Sequence, residues 1–95
     1  VMRFNLPACE QKMAVIGELI TGRRGSSEEE TARQGVEALE NFFQRFTIPL
    51  RLRDLISDSA GLPVVCQLAV QDACVLTNPR PVTWEDCLQI CEEVW

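Results

Sequence analysis

The stretch from Ser26 to Phe46 sets the strongest limit on what this chain can fold into. Ala32, Val36, Leu39, Phe43 and Phe46 recur at spacings of 4, 3, 4 and 3, the period at which side chains line one face of an α-helix. Ser26 with Glu29, or Ser27 with Glu30, fits a capping box, and Glu28, Glu29 and Glu30 place negative charge where a helix amino terminus favours it. Thr47, Ile48 and Pro49 end the pattern. Gly35 inside this helix costs about 1 kcal/mol against alanine. A close crossing with a second helix is a physical reason to keep it.

The flanking sequence repeats the helical period and contains no convincing strand. Pro7 suits a first helical turn. Cys9, Met13, Ile16, Leu19 and Ile20 then mark one helical face, closed by Gly22 and Gly25 around Arg23 and Arg24. Leu50 to Ile56 alternates leucines with basic residues; no other strand exists to pair with it, so a short helical turn is expected. Pro63 opens a third helix with Leu62, Val65, Cys66, Ala69 and Ala73 on its face. In Asn78-Pro79-Arg80-Pro81 the residues before each proline should be extended. Thr83, with Asp86 three residues on, caps a last helix whose stripe is Trp84, Cys87, Leu88, Cys91, Val94 and Trp95. Val1 to Asn5 reads as the tail of a longer element. The expected fold is all-α: one domain over residues 1–95, a compact bundle of four main helices of about 12–20 residues with short helical turns between them.

Composition narrows the function. Apolar residues make up 46% of the chain and charged residues 24%, ordinary globular usage that argues against disorder. No apolar run approaches the roughly 20 residues of a membrane span, and no secretion leader is seen. A soluble, cytoplasmic location is expected. The net charge is -5, and Arg23 with Arg24 and Arg51 with Arg53 form two short groups and no stripe, so nucleic acid is not an expected partner. The five cysteines are odd in number and without close pairs, which fits a reducing compartment better than a disulfide framework. The chain has no histidine, which removes the commonest general base and metal ligand together.

What remains for chemistry is thiols and carboxylates. Cys87 and Cys91 share a helix face, and Cys66 and Cys74, eight apart, could share another. A four-thiolate metal site is conceivable, but no zinc knuckle is present. Buried cysteine behaves as a small apolar side chain, and core packing is the expected role. Glu28 to Glu30 read as a solvated cap, and Glu92 and Glu93 as a wet helix face. A thiol-based metal or redox protein and a stand-alone helical interaction module therefore stay open as alternatives.

The run Asp72-Ala73-Cys74-Val75-Leu76-Thr77-Asn78-Pro79-Arg80-Pro81, followed by Val82-Thr83-Trp84-Glu85-Asp86, resembles the closing signature of the iron-containing alcohol dehydrogenases. In that family an aspartate and a small or thiol residue precede Asn-Pro-Arg, and a final helix starts at a threonine or similar cap. Ile48-Pro49-Leu50-Arg51-Leu52-Arg53-Asp54-Leu55 resembles the family's segment after its long helix. Val1-Met2-Arg3-Phe4-Asn5 resembles the stretch after its second metal-binding histidine loop. The resemblance implies an oxidoreductase that moves hydride between NAD(P) and an alcohol or aldehyde. The family holds a divalent metal, usually iron and sometimes zinc, on one aspartate and three histidines, and the metal polarises the oxygen.

By the same resemblance, all those ligands and the nucleotide-binding domain lie upstream of the position matching Val1. This chain is then expected to be a carboxy-terminal helical domain with no catalytic, cofactor-binding or metal-binding residue, inactive alone and binding no cofactor. Its expected partner is the amino-terminal domain, or a second copy through the uncovered interdomain face. Cys74 alone is carried over, as a wall of the substrate cleft.

Overall fold

The structure, a computed structural model, describes residues 1–95. Every regular element is helical, in the order α1 (Met2–Asn5), α2 (Glu10–Thr21), α3 (Glu28–Phe43), α4 (Leu62–Ala69) and α5 (Trp84–Glu93), with 3₁₀ turns at Leu6–Ala8, Leu52–Asp54 and Ala73–Thr77. Two units, Val1–Ile48 and Pro49–Trp95, divide the chain. The all-helical class is as expected.

The first unit is built on the α2–α3 pair. Pro7 lies in the 3₁₀ turn ahead of α2, where its missing N–H leaves no helical bond unmade. Gly22 ends α2 in the left-handed region at φ 67°, and its N–H donates to the Glu18 carbonyl at 2.8 Å, a conformation that glycine adopts without a Cβ clash. At the start of α3 the Ser27 hydroxyl accepts from the Glu30 N–H at 3.1 Å. The Glu30 carboxylate reaches back to Ser26, accepting from its N–H at 2.8 Å and also from its hydroxyl. The reciprocal cap is thus shared by two serines, one residue offset from the usual box.

The face on which α2 packs differs from the expected one. Ala14 and Gly17 are its buried residues, whereas Ile16 and Ile20 are exposed and Leu19 is 80% exposed. From α3 the buried set is Thr31, Ala32, Gly35 and Val36. A Cβ added at Gly17 would collide with the Thr31 carbonyl oxygen and stand 3.2 Å from the Gly35 Cα; one added at Gly35 would run into the Gly17 Cα. The helices therefore meet backbone to backbone, and Gly35 sits at the close crossing that its position suggests. Small residues form this seam, and the larger apolar side chains of α2 are left outside it. At the far end of α3, Phe43 and Phe46 leave the stripe for the surface, where Phe42 meets both edge-to-face with ring centroids 5.8 and 5.0 Å away, a favoured aromatic geometry.

A forked ion pair joins α1 to α3. Arg3 donates from Nε to Glu40 Oε1 at 2.7 Å and from Nη2 to Oε2 at 2.5 Å. The hydrogen bond from Arg3 holds the Glu40 carboxyl below its ordinary value of 4.5, with the nearby positive charge adding to the effect and partial burial opposing it. A lowered folded-state pKa means the pair stabilises above the unfolded value and is lost as pH falls through the folded one. Both side chains are about half exposed, so solvent screening limits the pair to about 1 kcal/mol or less. Glu40→Gln is expected to lower the urea midpoint slightly at pH 7, and the difference should shrink as pH falls below the ordinary carboxylate range and the Glu40 charge is lost.

In the second unit the turn expected within Leu50 to Ile56 is the 3₁₀ turn Leu52–Asp54, and the Leu52 N–H donates to the Val94 carbonyl at 2.8 Å. Pro63 lies in the first turn of α4, whose buried residues are Leu62 and Cys66. This helix is shorter than the expected span and stops at Ala69. Asp72 supplies the reason: its backbone is extended at ψ 140° and its carboxylate accepts the Cys74 N–H at 2.7 Å, a local bond that competes with helix continuation. Cys74 consequently lies on the 3₁₀ turn and does not share a helix face with Cys66. On α5 the expected stripe is half-buried at Trp84, Cys87, Leu88, Cys91 and Trp95, while Val94 is exposed.

Candidate functional site

The segment joining α4 to α5 is held by its own short polar contacts. Asp72 caps the 3₁₀ turn through the Cys74 N–H. The hydrogen bonds from the Cys74 N–H and then the Cys74 thiol hold the Asp72 carboxyl below its ordinary value, against a small opposing effect of burial. Thr77 Oγ1 donates to the Cys74 carbonyl at 2.9 Å, and Asn78 Nδ2 donates to the Arg80 carbonyl at 2.7 Å. Asn78 is extended at φ -67° and ψ 139°, as the following proline requires. Thr83 then starts α5 with a full capping box: its hydroxyl accepts the Asp86 N–H at 3.2 Å and its own N–H donates to the Asp86 carboxylate at 2.9 Å. Side-chain-to-backbone bonds of this kind fix a loop without a core beneath it.

This framework presents Cys74 on an exposed turn. The other cysteines divide between burial and partial burial. Cys66 is buried, while Cys9, Cys87 and Cys91 are half-buried, and all five are free thiols. Core packing therefore describes Cys66 well and Cys74 not at all. Burial pushes Cys87 up from its ordinary value, with the neighbouring Cys91 and Asp86 adding to the rise. Burial also pushes Cys66 up to about 11, with its contact to Cys91 next in weight. These thiols are held protonated, the opposite of an activated nucleophile.

Two features escape a reading of the sequence alone. Cys66 and Cys91 stand with their sulfurs 3.9 Å apart although 25 positions separate them; only the return of α5 onto α4 brings them together. A cleft of about 250 Å³ lies among Ser59, Leu62, Pro63, Leu88, Glu92 and Trp95. Leu62, Leu88 and Trp95 of its lining sit on the expected stripes of α4 and α5, but no spacing in the sequence marks a cavity between them.

A sequence model described as the Fe-containing alcohol dehydrogenase family, C-terminal, matches residues 1–95. The chain belongs to the iron-containing alcohol dehydrogenase family. It is 31% identical over 96 residues to lactaldehyde reductase of Escherichia coli K12, covering 100% of this chain and 25% of that protein. With the NAD-dependent methanol dehydrogenase of Bacillus methanolicus it shares 31% over 91 residues, 95% of this chain and 24% of the relative. The 1,3-propanediol dehydrogenase of Klebsiella pneumoniae is 33% identical over 81 residues, 84% of this chain and 21% of the relative. A crystal structure of a 1,3-propanediol oxidoreductase superposes with a TM-score of 0.90 at 28% identity, covering 99% of this chain and 25% of that one. The chain thus spans about a quarter of the length of these iron-family relatives.

The iron of the family's name finds no fitting site among these residues. There is no histidine, and no three cysteine, aspartate or glutamate side chains converge in a group that could hold a metal ion. The arrangement that these residues do provide is two helical units, the second carrying one loop fixed by local bonds. No helix is long and apolar enough to cross a membrane.

Proposed function

We propose that residues 1–95 serve as the carboxy-terminal helical domain of a longer, cytoplasmic, NAD(P)- and metal-dependent alcohol dehydrogenase. The reaction of the whole protein is then hydride transfer between the nicotinamide and an alcohol or aldehyde, with the reactive groups contributed from outside these residues. The match of the family's carboxy-terminal model to residues 1–95 carries this reading. Two structural features support it. Ile16, Leu19 and Ile20 leave an apolar face of α2 in water, as a surface meant to be covered by more protein would. The Asp72–Asn78 segment holds Cys74 outward on a fixed turn, which suits a wall of a substrate cleft formed with another domain. In this reading Cys74 lines the cleft and takes no part in bond making.

Exchange of domains tests the proposal. Residues 1–95 replace the matching quarter of the Escherichia coli lactaldehyde reductase, and lactaldehyde reduction is followed with nicotinamide and metal supplied. Turnover by the chimera is expected, with none from residues 1–95 alone under the same conditions. Cys74→Trp in the chimera should raise KM for the aldehyde about tenfold or more, roughly 1.4 kcal/mol of lost binding, by filling the cleft. A folded chimera that binds nicotinamide yet reduces nothing would overturn the reading, as would turnover by the isolated chain.

A further inference from the structure

Two sulfurs on different helices of the 49–95 unit stand close enough to be joined. Cys66 on α4 is 2% exposed, Cys91 on α5 is half-buried, and their Sγ atoms are 3.9 Å apart. A disulfide needs about 2.05 Å, so closure requires a relative movement of about 2 Å. Rotation of the two side chains with a small shift of two short helices can supply that movement. The nearest rival pairing fails on geometry. Cys87 and Cys91 lie four apart on one helix, where Cβ atoms are about 5–6 Å apart, beyond the roughly 3.5–4.5 Å a disulfide spans. We propose that Cys66 and Cys91 form a reversible disulfide, with a low-molecular-weight disulfide of the glutathione class as oxidant, so that both ends of the segment carrying Asp72, Cys74 and Asn78 become covalently fastened.

The chemistry proceeds in two exchanges. The Cys91 thiol loses its proton to water, and its sulfur attacks the small-molecule disulfide, breaking that S–S bond and releasing one small thiolate. The Cys66 thiol then gives up its proton to water, and its sulfur attacks Cys91, expelling the second small thiolate, which takes up a proton, as the protein S–S bond forms. Two protein thiols lose two electrons and two protons in all, and the reagent gains both as two small thiols. Cys91 is the entry point because it is the more accessible of the two. Cys66, whose sulfur stands 3.9 Å from that of Cys91, resolves the adduct. The bond forms only under oxidising conditions.

Alkylation and peptide mapping decide the matter. The purified protein is equilibrated with oxidised glutathione, free thiols are blocked, and the proteolytic peptides are identified by mass. The expected result is loss of alkylation at both Cys66 and Cys91, a peptide pair joined through them, full reversal by dithiothreitol, and a Tm raised by about 10 °C. Cys91→Ser should keep Cys66 alkylatable and yield no linked peptide containing Cys66 under the same treatment. Should that variant fail to fold, the map of the unsubstituted protein still decides. Five alkylatable thiols after oxidation, a different linked pair, or a glutathione adduct that persists on Cys91 would each overturn the proposal.

Discussion

Gly35→Ala is expected to destabilise the protein by about 2–3 kcal/mol, against the sign that helix propensity alone assigns. Replacing an interior glycine by alanine in an open helix stabilises by about 1 kcal/mol. At position 35, however, the added methyl would meet the Gly17 Cα and stand 3.1 Å from the Gly17 nitrogen. Backbone cannot turn aside as a side chain can, so α2 and α3 must separate. Overpacking of this kind costs about 1–3 kcal/mol and occasionally more, and here the separation also exposes Ala32 and Val36, which are now fully buried. Urea unfolding should show a lower midpoint with a similar slope, and thermal unfolding a Tm lower by about 10 °C or more. Gly17→Ala should act in the same direction, because its methyl would strike the Thr31 carbonyl. A rise in stability for either variant would mean that the crossing is not set by these glycines.

Thr31→Val should cost about 2 kcal/mol although it keeps the size and branching of the side chain. Thr31 is 1% exposed. Its hydroxyl accepts the Gly25 N–H at 2.9 Å and donates to the Ser27 carbonyl at 2.7 Å. One oxygen thereby ties the α2–α3 connection to the first turn of α3. Valine leaves the half-buried Gly25 N–H without that partner, a loss of about 1–3 kcal/mol. Thr31→Ser keeps the hydroxyl and should recover most of the stability, less the contribution of one methyl. Amide hydrogen exchange at Gly25 supplies a local readout: it should speed up in the valine variant and stay slow in the serine one. Equal exchange in both would show that the hydroxyl does not hold the connection.

How far such features are legible in the sequence depends on which force fixes them. Caps are written in a few adjacent residues, and Thr83 with Asp86 forms the box its spacing promises. The extended backbone at Asn78 follows in the same way from the next proline. The α2 packing face was hidden because hydrophobic periodicity gives weight to large apolar side chains. The seam with α3 instead uses Ala14 and Gly17, so the stripe of Ile16, Leu19 and Ile20 points away from it. The end of α4 was hidden by a similar competition: Ala69 and Ala73 continue a helical period, but the Asp72 carboxylate diverts the chain. Of the candidate site, the extended backbone at Asn78 could be read locally, whereas the Asp72 cap could not. The approach of Cys66 to Cys91 could not, since it depends on how two helices return to each other across an irregular connection.

The bond from the Leu52 N–H to the Val94 carbonyl makes the second unit a loop fastened at its own ends. Whatever happens at residue 94 is therefore felt at residue 52, not only in α5. Clipping the polypeptide before Val94 would take away the acceptor that ties the Leu52–Asp54 turn to the end of α5.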